Sequence, residues 1–180
     1  MSGPAGSEKT SVSYKIKRMV ASTSLLSLGV AFELVSKLSK EMQDELEDWD
    51  AGRVLALGVL PDGPSIAVRK EVNHLVYLGK GEHGAKLKIL FKNMDCAVLM
   101  LTGQIGPPAG FAEHRAVVHG SIYEAMQANR AMAIVTKFLF PGFILKKTMK
   151  RPPKTSMSDL VIKAKVFAFL TPLLIANAAK

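Results

Sequence analysis

The apolar positions of this chain follow two periods. From Met19 to Trp49 they step by three and four, and Leu25, Leu28, Phe32, Val35, Leu38, Met42, Leu46 and Trp49 form one stripe. That is the spacing of an amphipathic helix, and it predicts one long helix or two broken near Gly29. Arg53 to Leu60 is a short apolar run closed by Pro61-Asp62-Gly63-Pro64, a turn by composition. From Ile66 the period falls to two. Ile66, Val68, Val72, His74, Val76 and Leu78 fall on one face, with Arg69, Glu71 and Asn73 opposite, and Leu87, Ile89 and Phe91 alternate with lysines. Strands with one wet side predict an α+β fold, a mostly antiparallel sheet covered on one face by helices.

Beyond the strands, Asn93 or Asp95 can cap a short helix, Cys96 to Thr102, apolar on all sides and therefore buried. Gln104 to Gly110, rich in Gly and Pro, reads as a loop: an ordinary connector, or the rim of a site. Glu113 to His119 alternates as a last strand. Ser121 and Glu124 have the spacing of a capping box, in which hydroxyl and carboxylate satisfy the first backbone N–H groups of a helix. The stripe of that helix is Ala125, Ala128, Met132, Val135 and Leu139, small at its beginning, and Pro141-Gly142 ends it. A second short helix turns cationic at Lys146, Lys147, Lys150 and Arg151 before Pro152-Pro153. Met157 to about Asn177 forms a final helix, with Leu160, Val161, Ala164, Phe167 and Leu174 toward one buried side and Pro172 as a kink. From Val166 it is apolar nearly all round, so the domain, another subunit or lipid must cover it. Residues 1–10 read as a flexible tail, and 11–180 as a single domain.

Charge sharpens this picture. The net charge of +9 is regional: Glu41 to Asp50 is acidic, and Lys137 to Lys165 is basic but for Asp159. Aromatic residues sit inside apolar runs instead of interleaving with Arg and Lys, so stacking platforms for nucleic acid are not expected. One cysteine leaves no intrachain disulfide, and a reducing, cytoplasmic setting is the default expectation. The first ten residues have no signal-like arrangement, and apolar runs such as Val166 to Ala176 fall short of a membrane span.

Catalytic chemistry finds little to stand on. Gly79-Lys80-Gly81-Glu82-His83-Gly84 matches G-x-G-x-x-G, but a strand follows where the dinucleotide fingerprint needs a helix N-terminus. A glycine-rich hairpin turn explains the same letters. His114 and His119 point to opposite sides of a strand and suit no metal. Cys96, with His119 as base, is the one nucleophile candidate, and its apolar setting favours an inert thiol. No enzyme, metal or cofactor is expected. Nine methionines are either core filler or an adaptable lining for ligands of variable shape.

The segments LKILFKN, GFAEHRAVVHGSIYEAM and TKFLFPGFILKKTMKRPP, with the Gly/Pro loop between the first two, resemble the sterol carrier protein 2 (SCP2) family of lipid-binding domains. The amphipathic strand, Gly120 before the helix, and the Phe140-Pro141 joint followed by a basic helix carry the resemblance, over about Val54 to Pro153. It implies a sheet of about five strands with helices on one face and a hydrophobic tunnel for a fatty acid, acyl-CoA or sterol-like lipid. The N-terminal and C-terminal helices are extra to that pattern. On this reading Met100, Phe111, Met126, Met132, Val135, Leu139, Phe143 and Phe167 line the tunnel. Lys146, Lys147, Lys150 and Arg151 then hold an anionic head or face an anionic membrane. The alternative is an interaction module whose apolar C-terminal helix packs on a twin, giving a homodimer, or on a partner chain.

Overall fold

The computed structural model describes residues 5–140, Gly142, Leu145 and residues 157–178. The N-terminal stripe becomes α1 (Ala5–Leu38) and α2 (Lys40–Leu46). The helix begins inside the stretch read as a tail, and the break falls at Ser39, whose backbone is extended. Gly29 does not break α1, because its place is set by packing. A Cβ there would lie 2.5 Å from the Tyr77 ring and 3.0 Å from Ile66, so only glycine lets the helix come this close to the sheet.

The sheet has five strands: β1 (Val54–Val59), β2 (Ser65–Lys70), β3 (Leu75–Lys80), β4 (Leu87–Phe91) and β5 (Ala116–His119), in the order β3-β2-β1-β4-β5. β1 and β4 are parallel and the other pairs antiparallel, so the sheet is mostly antiparallel as the alternation predicts. Against one face lie α1, α3 (Met94–Leu101) and α5 (Ile122–Leu139), and the core between them holds Leu25, Phe32, Leu57, Ile89, Phe91 and Phe138. α6 (Met157–Ala178) packs on α1 and α5. Asn93 caps α3 as expected, its side chain accepting from the Cys96 N–H at 2.8 Å.

Several sequence expectations are corrected. The alternation from Ile66 to Leu78 is two strands, reversed at Glu71–His74, where the Glu71 N–H donates to the His74 carbonyl at 2.9 Å. That turn contains neither Gly nor Pro, and its single turn-favouring residue, Asn73, is a weak mark. The face flips with it: Leu75 and Tyr77 meet the core, while Val72 is exposed at the tip and Leu78 packs on the opposite face. The GKGEHG segment is no hairpin. β3 and β4 stand two strands apart, so residues 81–86 cross the face away from the helices, where Ala85 rests in a small cluster with Ala56 and Ala67. Positive φ angles at Gly79, Gly81, His83 and Gly84 bend the chain through this crossing. The second half of the Gly/Pro loop is a helix, α4 (Pro107–Ala112), with proline at its first turn, where a missing N–H costs nothing. Ser121 stands at the N-terminus of α5, but its side chain makes no capping bond. Glu124 instead reaches Arg53 at 3.3 Å.

The buried side of α6 is also shifted. Ile162, Val166 and Leu170 meet the core, while Leu160, Val161 and Phe167 are exposed. A helix apolar all round carries no phase from which to read its inner face. The Val12–Leu38 stretch of α1 is long and apolar enough to cross a membrane by length and composition, which the expectation of no such span overlooked. Within it Ala21, Leu25, Phe32 and Val35 are fully buried against the rest of the domain.

The acidic stretch finds partners on the helices that follow. Glu45 pairs with Arg130 at 2.9 Å and Glu41 with Lys137 at 3.1 Å. Arg53 lies over the Trp49 ring and donates to Gln127 Oε1 at 2.7 Å, tying the end of the acidic segment to α5.

Candidate functional site

Where α1, α3 and α5 converge over the end of β4, their apolar side chains leave a cleft. Leu28 of α1, Phe91 at the end of β4, and Met100 and Leu101 of α3 form one side. Met132 and Leu139 of α5, with Phe140, form the other, and Gly103, Ile105 and Gly106 close over it. The small early residues of α5, Ala125, Ala128 and Ala131, are buried where the helix meets the core, and its larger residues reach the cleft one to two turns later. The free space measures about 40 Å³, against roughly 300–1,000 Å³ for ordinary small-molecule pockets. Among the described residues the free space is a narrow apolar cleft.

Two methionines, Met100 and Met132, face the cleft. Met100 lies against Gly110 of α4, where a Cβ would overlap its Sδ and Cε atoms. The absence of a side chain at Gly110 is therefore what makes room for the Met100 thioether. Two hydroxyls alone interrupt the apolar lining, those of Ser24 and Thr136. The Thr136 hydroxyl is turned back on its own helix, donating to the Met132 carbonyl at 2.6 Å. Among the described residues no charged side chain lines the cleft.

Charge gathers at the far end of α5. Lys163 of α6 donates to the carbonyl of Phe140, a cation set on a helix C-terminus where the backbone dipole favours it. Burial pushes its ammonium below the ordinary lysine range. Lys137 shows the opposite balance. Burial again works to lower it, but hydrogen bonds to Asp159 and Glu41 outweigh that and leave its pKa raised. Lys163 thus bonds the backbone of a cleft residue, Phe140, and the cluster Lys146, Lys147, Lys150 and Arg151 singled out in the sequence did not include it.

Of the tunnel residues expected from the sequence, Met100, Met132 and Leu139 line the cleft, and Val135 is buried on the same face of α5. Phe111 and Met126 are placed elsewhere. They line a separate, open groove with Val118 and Ile122 beside β5, and Met126 is 60% exposed. Phe167 is 42% exposed on the outer side of α6. Phe143, Lys146, Lys147, Lys150 and Arg151 lie outside the described residues. Sequence reasoning missed Leu28, Phe91 and Phe140, although each sits at a position whose apolar character was visible: the α1 stripe, the buried face of β4, and the run that ends α5. Cys96 is buried at the start of α3, while His119 is exposed at the end of β5. Among the described residues no group of three His, Cys, Asp or Glu side chains is placed to hold a metal ion.

No family model matches this sequence, and no curated protein does either. Solved structures do. One is a UbiJ-SCP2 ubiquinone synthesis protein, 15% identical, with a TM-score of 0.41; the match covers 62% of this chain and 96% of that one. Another is the apo form of sterol carrier protein 2 from Yarrowia lipolytica, 14% identical, with a TM-score of 0.39, over 69% of this chain and 90% of that one.

Proposed function

We propose that this protein binds an apolar molecule, a fatty acyl chain or a flat sterol-like ring system, in the cleft between α1, α3 and α5, and that it does so without chemistry. The observation that carries the reading is the lining itself: flexible methionines and aliphatic side chains, glycines at the rim, and no charge among the described residues. Met100 and Met132 are unbranched and can change rotamer at low cost, so a ligand enters by taking the volume they now fill. Each CH₂ transferred from water contributes roughly 0.8 kcal/mol, so insertion of a few carbons past Met100 already offsets the cost of moving it. Lys163, beside the Phe140 carbonyl, suits an anionic end of the ligand.

Native mass spectrometry of the purified protein, before and after solvent extraction, tests the proposal, with uptake of a fluorescent fatty acid as the second measurement. Bound lipid, or uptake that Met132→Trp abolishes by filling the cleft, is the expected result. Absence of both lipid and uptake defeats it.

A second reading has its own support. Phe169 is 65% exposed on α6, beside the exposed Leu160, Val161 and Phe167, more apolar surface than a helix facing only water usually carries. On this reading α6 is the contact surface for a second copy of the chain or a partner. Phe167→Asp with Phe169→Asp then converts a dimer to a monomer by light scattering and leaves fatty acid uptake intact.

A further inference from the structure

On the opposite flank of α1 from the cleft lies a second cavity of different chemistry. α1 meets the sheet most closely at Gly29, against Tyr77. One to three turns earlier the helix runs past the start of β2, and a wedge of about 330 Å³ opens between them. Its accessible apolar lining is Leu26 and Pro64, with Leu25 and Ile66 buried beneath. Its walls are cationic: Arg18 rises from α1 and Lys80 from the end of β3, with the hydroxyl residues Ser22 and Ser65 between them. Among the described residues no carboxylate lines the wedge.

The two cations are uncommitted. Lys17, next to Arg18, is held by Asp95 at 2.6 Å, and Lys88 binds Glu82, the acid nearest to Lys80 along the chain. Arg18 and Lys80 take part in no ion pair among the described residues. A guanidinium offers a planar fork of donors and an ammonium a compact point charge. Together they match a doubly charged phosphate oxygen cluster better than a single carboxylate. The apolar lining gives the organic part of such a molecule a surface to rest on.

We propose that this wedge is a binding site for a phosphate monoester, with the phosphate between Arg18 and Lys80 and its organic substituent over Leu26 and Pro64. The proposal is independent of the apolar cleft. A soluble phosphorylated metabolite and the head of an anionic lipid share this chemistry, and the experiment separates them.

The full-length protein is titrated by calorimetry with inorganic phosphate and with hexyl phosphate, and sedimented with phosphatidylcholine vesicles with and without phosphatidic acid, all at matched ionic strength. Hexyl phosphate binds more tightly than inorganic phosphate, and Arg18→Gln or Lys80→Gln weakens each by roughly tenfold, the scale of a lost charge-assisted hydrogen bond. Circular dichroism and thermal midpoint confirm that these surface variants fold. Met132→Trp, which fills the cleft, leaves phosphate binding unchanged. Vesicle binding that depends on phosphatidic acid and falls with both variants assigns a lipid head, and binding confined to the soluble phosphates assigns a metabolite. Either result supports the site. Binding of none of these probes, or binding that persists in the Arg18→Gln, Lys80→Gln double variant, overturns it.

Discussion

α1 is held on two sides by two different kinds of contact. Toward the sheet the fit is fixed atom by atom. Gly29 sits against the Tyr77 ring, Ser36 Oγ accepts from the Leu75 N–H at 2.9 Å, and Glu33 accepts from the Tyr77 N–H at 3.0 Å. These two side chains satisfy the outward N–H groups of the edge strand β3, which would otherwise offer a template for another strand. Toward α3 and α5 the one polar link among the described residues is the exposed Lys17–Asp95 pair at 2.6 Å, outside the cleft. Leu28 meets Met100, Met132 and Leu139 across about 40 Å³ of free space. A seam made of hydrogen bonds and a glycine contact has one register. A seam of methionines and leucines has many nearly equal packings, and for that reason it is the side on which another apolar molecule can take the place of a side chain.

The strongest way to break the contrast is to crowd the rigid seam. Gly29→Val places a branched side chain where a single Cβ already meets Tyr77 at 2.5 Å. The better helix propensity of valine returns only a few tenths of a kcal/mol, so a net loss of about 3 kcal/mol in urea unfolding is expected. In a Tyr77→Ala background most of that loss should disappear, and strict additivity of the two changes would show that α1 does not rest on Tyr77.

The matching change on the slack side is Met100→Ala. Deleting a buried methionine side chain costs about 2 kcal/mol or more, and the low end is expected here because neighbouring side chains can close in. The same change frees the volume above Gly110, so affinity for a fatty acyl probe rises as stability falls. A variant that is destabilised without any gain in uptake would show that the cleft collapses when emptied.

Most of the architecture was legible because it follows periodicity. The three-four stripe of α1 and α5, the strand alternation and the Asn93 cap all state their geometry in the residues themselves. What escaped was set by partners distant in sequence. Gly29 reads as a helix breaker until Tyr77, nearly fifty residues later, is seen to occupy the space of its missing side chain. Glu71–His74 turns without Gly or Pro, and that single weakly marked reversal exchanged the buried and exposed faces from Leu75 to Leu78. Of the residues named for the site, Met132 and Leu139, read from periodicity, border the cleft. Phe111 and Met126 border the other hollow, because an apolar residue beside an apolar helix gives no sign of which of two hollows it faces. The exposed side of α6 was illegible for the same reason.

A smaller effect belongs to the polar links of the rigid seam. Burial works to raise the Glu33 carboxyl, but the hydrogen bonds from Lys37 and from the Tyr77 N–H outweigh it and hold its pKa below the ordinary 4.5. A carboxyl depressed in the folded state stabilises above its unfolded pKa, and that contribution is lost as pH falls through the folded value. Glu33→Gln should therefore cost about 1 kcal/mol at neutral pH, and the gap to the unaltered protein should narrow only below pH 4.5. A gap that stays constant down to pH 2.5 or so would mean that the charge of Glu33 contributes nothing to the seam.

The smallest effect asks how a ligand lies in the slack seam. Thr136 is one of two hydroxyl residues of the cleft, and its hydroxyl is already spent on the Met132 carbonyl at 2.6 Å. Thr136→Val removes that donor without stranding a buried partner, since the carbonyl keeps its place in the helix ladder. Stability should therefore change by no more than about 0.5 kcal/mol. If a hydrocarbon chain lies against this position, valine extends the apolar wall, and fatty acid affinity is unchanged or rises by up to about threefold. If the polar end of the ligand lies here instead, the same substitution leaves that group without a hydrogen bond and affinity falls by roughly tenfold. The first outcome is expected, because Lys163 at the Phe140 carbonyl places the favourable charge at the end of α5, and a chain anchored there runs inward past Thr136 toward Met100.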